Sequence, residues 1–416
     1  MRVAAGHDRL PPDPVVPNRD YRAHQRPIAT HMGLARIPML LSSPRTAIES
    51  EGAVTVPPPP PPPPLHGPIL PSGQRPGEIV RLTPGTILCA GGPVSPTHLE
   101  VPFATSTKWF GRDAPTTAPS YALTFAIDQD GRAVDIQSSP PIFPGFFIDT
   151  TDLAPALAAS RFAPGMPQRT CGITYTVAFV PVPDAPLASL YAAASAPVPG
   201  PAASEIYERL GADGDCARGP GSPRRLNYPA FEAIAQASGT RSWSFLSFDV
   251  DATGRTQNVH VVGSSQNAAL DSASVKALRG NRYAPGKASR GCTFHFYRLG
   301  NQPIAAPALP ADAPKDTDAL PACAIDPKTI PSLLNGKAYP GPFAARRIEG
   351  YAIIGFDTAP WGAVGNVRVL AAEPAAGFGQ AAMEAISQAR VVEGDVGHRG
   401  CVSRVQFRLP KEKPAE

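Results

Sequence analysis

The chain has 416 residues, which is too long for one hydrophobic core and predicts two to four domains. Charged residues make up 17% of the chain and hydrophobic residues 43%, which suits several small cores, while 53 prolines indicate long extended linkers. The net charge of +4 comes from scattered residues of both signs, which argues against a nucleic-acid-binding protein, where a basic stripe is expected.

The first 77 residues predict a disordered, Pro-rich leader. Residues 32–50 begin with a methionine and hold a short apolar run broken by Pro38 and Pro44, so they suggest a degenerate secretory signal with its true start at Met32. No stretch approaches the ~20 apolar residues of a membrane helix, so we expect membrane association only if the true N-terminus carries an anchor. The prolines at 57–64 predict a stiff spacer, with an SH3-like or WW-like ligand as the alternative.

The six cysteines predict an internal repeat. Taken in sequence order as pairs, they are separated by 82, 76 and 78 residues. This near-constant interval favours three disulfides, and the alternative is six buried free thiols in a cytosolic protein. No spacing suggests zinc, and no cofactor is predicted. The expected bridges are Cys89–Cys171, Cys216–Cys292 and Cys323–Cys401.

Between the cysteines, each repeat shows the same local pattern. Alternating apolar residues predict two strands around a turn, apolar residues at helical spacing predict a helix, and the second cysteine begins an alternating strand. Pro285-Gly286 is expected to end the segment after the helix. The predicted order is β-β-α-β in an α+β domain, with turn glycines at Gly131, Gly254 and Gly365.

We therefore predict three tandem domains, joined by Pro/Ala-rich linkers that lack a strand pattern. Each bridge would close a loop that the chain-entropy argument values at about 4 kcal/mol. Disulfides that persist imply an oxidising compartment, such as the bacterial periplasm. The expected boundaries are a leader at 1–77, domains at 78–180, 203–300 and 320–410, linkers at 181–202 and 301–319, and a tail at 411–416.

The second and third repeats resemble the C-terminal domain of TonB. In the second, YPAFEAIAQASG (228–239) precedes FDVDATGRTQNVHVVGSS, LDSASVKALRGNRYAPG and the closing strand. The third repeats the opening, with Tyr339-Pro340 matching Tyr228-Pro229, as YPGPFAARRIEG (339–350). The first keeps the strands, the helix and RFAPG but lacks the Tyr-Pro opening.

The resemblance implies a non-enzymatic protein of the Gram-negative cell envelope. TonB proteins transmit energy from an inner-membrane motor to outer-membrane receptors, and their C-terminal domain pairs a strand with a receptor peptide. We therefore expect envelope proteins or receptor peptides as partners, at exposed closing-strand edges; the alternative is that a neighbouring repeat covers these edges. The candidate residues are Thr293, Phe294, His295, Phe296 and Tyr297 in the second repeat and Val402, Ser403, Arg404, Val405 and Gln406 in the third.

Three departures from the family weaken the transfer of energy transduction to this chain. No N-terminal membrane helix is evident, the proline run is short, and the family's receptor-contacting glutamine falls on Ala233 and Ala344. The alternative is a periplasmic adaptor or scaffold without energy transduction. A third hypothesis is catalysis, because a Ser-His-Asp set occurs in the second repeat. No histidine recurs in the equivalent stretches of the other repeats, so turn and helix-entry roles are favoured for Ser264 and Ser265, beside His260 and Asp271.

Overall fold

The structure is a computed structural model that describes residues 2–4, 78–103, 105–109, 119–138, 146–195, 203–212, 214–216, 223–300, 302–317 and 320–409. The leader from residue 5 onward, with the candidate signal at 32–50 and the prolines at 57–64, lies outside the described residues, as does the tail at 411–416. The described part is mixed α+β, as expected, with three sheets.

The strands and α-helices of the described residues have the following bounds. The strands are β1 (Arg2–Ala4), β2 (Glu78–Pro84), β3 (Ile87–Cys89), β4 (Gly92–Val94), β5 (Thr105–Trp109), β6 (Ser120–Ile127), β7 (Ala133–Ser138), β8 (Phe146–Ile148), β9 (Gln168–Pro181), β10 (Arg241–Val250), β11 (Thr256–Ser264), β12 (Ser289–Leu299), β13 (Gly350–Thr358), β14 (Val364–Glu373) and β15 (His398–Arg408). The helices are α1 (Leu153–Ala159), α2 (Leu187–Ala194), α3 (Ala203–Leu210), α4 (Ala268–Arg279), α5 (Pro331–Leu334), α6 (Gly341–Ala345) and α7 (Ala376–Ser387).

We call residues 78–181 the first unit, residues 214–300 the second and residues 320–409 the third. Each unit has an antiparallel hairpin, a helix that follows the hairpin and a closing strand that pairs with the first hairpin strand. The closing strands are β9, β12 and β15, which pair with β6, β10 and β13. Each closing strand contains the second cysteine of a disulfide, and the three bridges are Cys89–Cys171, Cys216–Cys292 and Cys323–Cys401.

The hairpin turns require a glycine at one position. Gly131, Gly254 and Gly362 have φ of 73°, 83° and 77°, and a Cβ at each would collide with a carbonyl oxygen from the segment after the helix. Gly365 was predicted as the turn glycine of the third unit, and this is corrected. It lies inside β14, its φ is not positive, and a Cβ there would meet nothing within 4 Å.

The Pro-Gly pair of the second unit lies in the segment after helix α4, which ends at Arg279. The Gly286 N–H donates to the Ala252 carbonyl in the hairpin turn, and Gly165 and Gly394 donate to the equivalent turns of the other units. These glycines therefore hold the hairpin turns against the chain after the helix.

The three units pack together. One core cluster contains residues of both the first and third units, including Ile136, Leu157, Ile354 and Phe378. A second surrounds α2 and α3 and takes in Phe245 from the back of β10. The segments predicted as linkers contribute to this packing. Leu190 of α2 is fully buried, and Ile304 pairs with Ile348.

Candidate functional site

The outer edges of the three closing strands differ in what covers them. In the first unit, β9 is paired along its outer edge with β2, from Glu78↔Pro181 to Pro84↔Tyr175, and with β3 at Leu88↔Gly172. The strands that precede the hairpin therefore occupy this edge. An extended partner would have to displace part of the unit itself.

The edge of β15 in the third unit is covered from two directions. The Thr317 N–H donates to the Val402 carbonyl at 2.9 Å, and the Val402 N–H donates to Thr317 Oγ1 at 2.8 Å. The Arg404 guanidinium donates to the Pro314 carbonyl. Farther along, Gln406–Arg408 pairs with β1 in parallel register. The segment expected to be a linker thus covers half of a predicted binding edge, and the chain's own residues 2–4 cover the rest.

The edge of β12 in the second unit is open over most of its length. Asp215 covers its beginning, because the Asp215 N–H donates to the Arg290 carbonyl and the Asp215 carboxylate accepts the Arg290 N–H. Beyond Arg290, in the part of the chain that the structure describes, β12 has no strand partner other than β10. Of the two edges predicted to bind a partner, this is the one that has no added strand among the described residues.

The backbone of β12 presents hydrogen-bonding groups at this open edge. Cys292 is equivalent to Cys401, so Thr293 and His295 are equivalent to Val402 and Arg404. The N–H groups of Val402 and Arg404 point away from β13, toward Thr317 and Asp316. By the alternation of an antiparallel strand, Thr293, His295 and Tyr297 present their N–H and C=O groups outward.

Aromatic side chains cover both faces of the sheet beside this edge. On the helix face, Phe294 lies 5.0 Å from Phe296, and the half-exposed Tyr228 contacts Phe296 edge-on at 6.4 Å. On the other face, His295 stacks on Phe245 with ring centroids 5.9 Å apart. Burial, helped by the charge of Arg241, lowers the pKa of His295 to about 4, so the imidazole is neutral at pH 7. The open edge therefore runs between mainly uncharged, aromatic faces.

The two Tyr-Pro openings have different environments. Tyr339 is buried, donates its hydroxyl to the Ile348 carbonyl at 2.6 Å, and packs edge-on against Phe378 and Phe407. Its neighbour Pro340 precedes α6. Tyr228 is 44% exposed. The opening is thus a core element in the third unit and a partly free surface beside the open edge in the second.

A buried ion-pair cluster, absent from the sequence predictions, lies where the three units meet. The guanidinium of Arg346 donates to Asp152 and Glu100 of the first unit. It also donates to the Gly239 carbonyl of the second unit at 2.9 Å and lies over the Phe103 ring at 4.0 Å. Burial opposes its charge, but the two carboxylates together raise the pKa of Arg346. Its partners are distant in sequence, so no local pattern could have indicated them.

The Ser-His-Asp set of the second unit does not form a catalytic triad. Ser264 Oγ donates to Asp271 Oδ2 at 2.7 Å and accepts the Gln266 N–H. The Nδ1 atom of His260 contacts the Asn258 carbonyl instead of the serine. Ser265 Oγ accepts the Trp243 N–H at the end of the hairpin. The Ser264 hydroxyl thus connects the turn to Asp271 in α4, the Ser265 hydroxyl bonds to the end of the hairpin, and Asn267 caps α4 by accepting the Leu270 N–H.

Within the described residues, no group of three or more His, Cys, Asp or Glu side chains is arranged to hold a metal ion. Over the same residues, none of the helices has both the length and the apolar character that crossing a membrane requires.

The second and third units share an order of elements, a disulfide and an equivalent closing strand, and this defines a class of small disulfide-bonded α+β domains. The family model described as Gram-negative bacterial TonB protein C-terminal matches residues 224–297 and 335–407. The chain thus carries two copies of the TonB C-terminal domain, which confirms the resemblance of the second and third units; no match covers the first. No curated protein matches the chain. The family is non-enzymatic and is associated with energy transduction at the Gram-negative envelope.

Proposed function

We propose that this TonB-like envelope protein binds extended peptides of envelope proteins or outer-membrane receptors by β-strand addition to β12, in energy-coupled transport across the outer membrane. The observation that carries the proposal is the open edge from Thr293 to Tyr297 beside an otherwise complete family domain. The partner's main chain would supply the hydrogen bonds that β12 lacks at this edge.

The aromatic faces define the kind of peptide that suits the edge. Side chains of an added strand alternate between the two faces of the sheet. On one face they would meet Phe294 and Tyr228. On the other face they would meet Tyr297 and the uncharged imidazole of His295. An extended segment with apolar or aromatic residues at alternate positions therefore fits this edge better than a highly charged one.

We propose a division into three domains at residues 78–180, 203–300 and 320–410, and a location in the periplasm. The recurring order of elements supports the division, although α2 and the segment 302–317 pack against the domains that they connect. The three disulfides support the location, because such bridges persist in oxidising compartments.

A second candidate is a periplasmic adaptor that holds envelope proteins together without energy transduction. Arg346 favours it, because one buried side chain bonds to all three units and so connects them to each other. Co-purification of the chain with inner-membrane motor proteins separates the two candidates. Recovery with the motor supports energy transduction, and recovery with other envelope proteins alone supports the adaptor.

The test of strand addition uses nine-residue peptides selected on the full chain from a phage-displayed library. We expect Thr293→Pro to weaken the selected peptides about tenfold, because proline removes an outward N–H and the hydrogen bond it offers. Val402→Pro is the matched control at the equivalent position of the covered edge, and it should leave the affinity unchanged. In the labelled chain, the amide signals of Thr293, His295 and Tyr297 should shift on binding.

The opposite pattern contradicts the proposal. If both proline variants bind the peptides as the unmodified chain does, and the shifted amides lie elsewhere, β12 is not the binding edge. Far-UV circular dichroism and non-reducing peptide mapping establish that each variant is folded with its three disulfides.

A further inference from the structure

Strand β1 occupies the part of the β15 edge that the segment before the third unit leaves uncovered. Its register with β15 is parallel, with Arg2↔Gln406, Val3↔Phe407 and Ala4↔Arg408. The order of the resulting sheet is β1-β15-β13-β14. The chain therefore adds one of its own strands to a TonB C-terminal domain.

The two coverings of β15 differ in nature. The segment at 313–317 contacts β15 through one backbone hydrogen bond, from Thr317 to Val402, through the side chain of Thr317, and through its carbonyl oxygens, which accept from the Arg404 guanidinium of β15. Strand β1 contacts it through regular strand pairing. Pairing of this kind depends on main-chain groups, so another extended segment could replace β1 without matching its side chains.

The register identifies which backbone groups of β1 face β15. The N–H groups of Val402 and Arg404 point away from β13, so alternation turns those of Gln406 and Arg408 outward as well. In a parallel pair, a residue can hydrogen-bond to the two residues that flank its direct partner on the other strand. Val3 lies opposite Phe407 and so bonds to Gln406 and Arg408. The N–H of Val3 therefore faces β15, and the N–H of Ala4 faces away.

We propose that the Gln406–Arg408 edge is a second acceptor site, for an extended segment in parallel register, and that Arg2–Ala4 is its intramolecular occupant. An external peptide binds there only when it displaces β1, so the third unit is autoinhibited while the second remains open. This inference shares with the proposed function the principle of strand addition but concerns a different edge.

Two physical features make the occupant displaceable. A strand of three residues forms few hydrogen bonds, so its intrinsic affinity is low. It stays bound because covalent connection to β2 raises its effective concentration, and this advantage decreases as the connecting segment lengthens. A free peptide with a longer matching segment competes with such an occupant.

The experiment uses a synthetic peptide with the sequence of residues 1–8, MRVAAGHD, added to isotope-labelled chains. The four chains are the full chain, a variant that lacks residues 2–6, Val3→Pro and Ala4→Pro. We expect the peptide to shift the amide signals of Gln406 and Arg408 in the shortened chain and in Val3→Pro. In the full chain and in the matched control Ala4→Pro, binding should be at least about tenfold weaker.

Equal binding to all four chains would overturn the inference, since it would mean that β1 does not compete for the edge. Absence of binding to the shortened chain would overturn it as well, since the edge would then be no acceptor. Neither result bears on the open edge of β12, because the amides of Thr293, His295 and Tyr297 report on that edge separately in the same spectra.

Discussion

Arg346 of the third unit and Asp152 of the first form a two-pronged ion pair. Nε–Oδ1 and Nη2–Oδ2 distances are both 2.6 Å. The side chain of Arg346 is fully buried and also bonds to Glu100 and to the Gly239 carbonyl of the second unit. Because one guanidinium links all three units, we expect their folding to be coupled.

Replacement of Arg346 by methionine should destabilise the whole chain. The change keeps a long side chain but leaves Asp152 and Glu100 buried without their cation, which typically costs about 3–5 kcal/mol. Urea unfolding monitored by tryptophan fluorescence and circular dichroism measures the loss. Arg399→Met is the control, because Arg399 is exposed and its replacement should change the free energy of unfolding by less than about 0.5 kcal/mol. Equal stability of the two variants would contradict the coupling.

The assignment of the turn glycine in the third unit gives a second prediction. Gly362→Ala should lower the free energy of unfolding by about 1–3 kcal/mol, because φ is 77° and the new Cβ would collide with the Val391 carbonyl oxygen. Gly365→Ala is the matched control three residues away, where the Cβ meets open space. Thermal unfolding of both variants tests the assignment. A larger loss for Gly365→Ala would restore the assignment made from the sequence.

The parts of the fold that the sequence predicted are those with a local or periodic signal. The alternating strands, the helices and the cysteine interval are patterns within each repeat, and the structure contains the corresponding elements and bridges. In the first and second units, the carboxylates of Asp128 and Asp251 accept N–H groups of the hairpin turn. In the third unit the equivalent residue is Ala359, which has no carboxylate. The sequence therefore lacked the signal that would have identified Gly362 as the turn glycine.

The covering of the candidate edges had no local signal. Thr317 and β1 reach β15 from 85 and about 400 residues away along the chain, and nothing in their composition indicates a strand partner. Leu190 of α2 is buried by residues from two units, which an Ala-rich stretch alone does not reveal. The sequence could thus propose two binding edges but could not distinguish the open one from the occupied one.

The neutral state of His295 predicts a loss of stability in acid. The unfolded chain binds a proton at this residue near the ordinary pKa of 6.5, whereas the folded chain does so only near 4, because burial disfavours the charge. The unfolded state therefore holds more protons between these values, and the free energy of unfolding falls as the pH falls from 6.5 to 4.

His295→Gln should remove about 2–3 kcal/mol of this decrease between pH 7 and pH 4.5. Urea unfolding of the variant and the unmodified chain at both pH values measures the difference. His398→Gln, a change at an exposed histidine at the start of β15, should leave the pH dependence as it is. If the His295 and His398 variants have the same pH dependence, His295 titrates normally in the folded chain.

Glu373 gives a prediction of the opposite sign at the contact between the first and third units. Its carboxylate accepts the Asp135 N–H at 2.8 Å, and the Ile136 N–H donates to the Pro374 carbonyl beside it. Burial raises the pKa of Glu373 to about 7, and the nearby Asp135 and Asp128 act in the same direction. The folded chain therefore holds more protons than the unfolded chain between pH 4.5 and 7, and the free energy of unfolding falls as the pH rises through this range.

Glu373→Gln keeps an oxygen that accepts the Asp135 N–H and removes the buried charge. Relative to the unmodified chain, the variant should gain about 2–3 kcal/mol of stability between pH 4.5 and pH 8. Glu393→Gln, at an exposed position of the same unit, should show no such gain. Urea unfolding at the two pH values measures both variants. At pH 4.5 the carboxyl of Glu373 is neutral in the folded chain, so its replacement by an amide should change the free energy of unfolding little. If the variant is more stable than the unmodified chain by the same amount at pH 4.5 and pH 8, the charge of Glu373 does not weaken the contact.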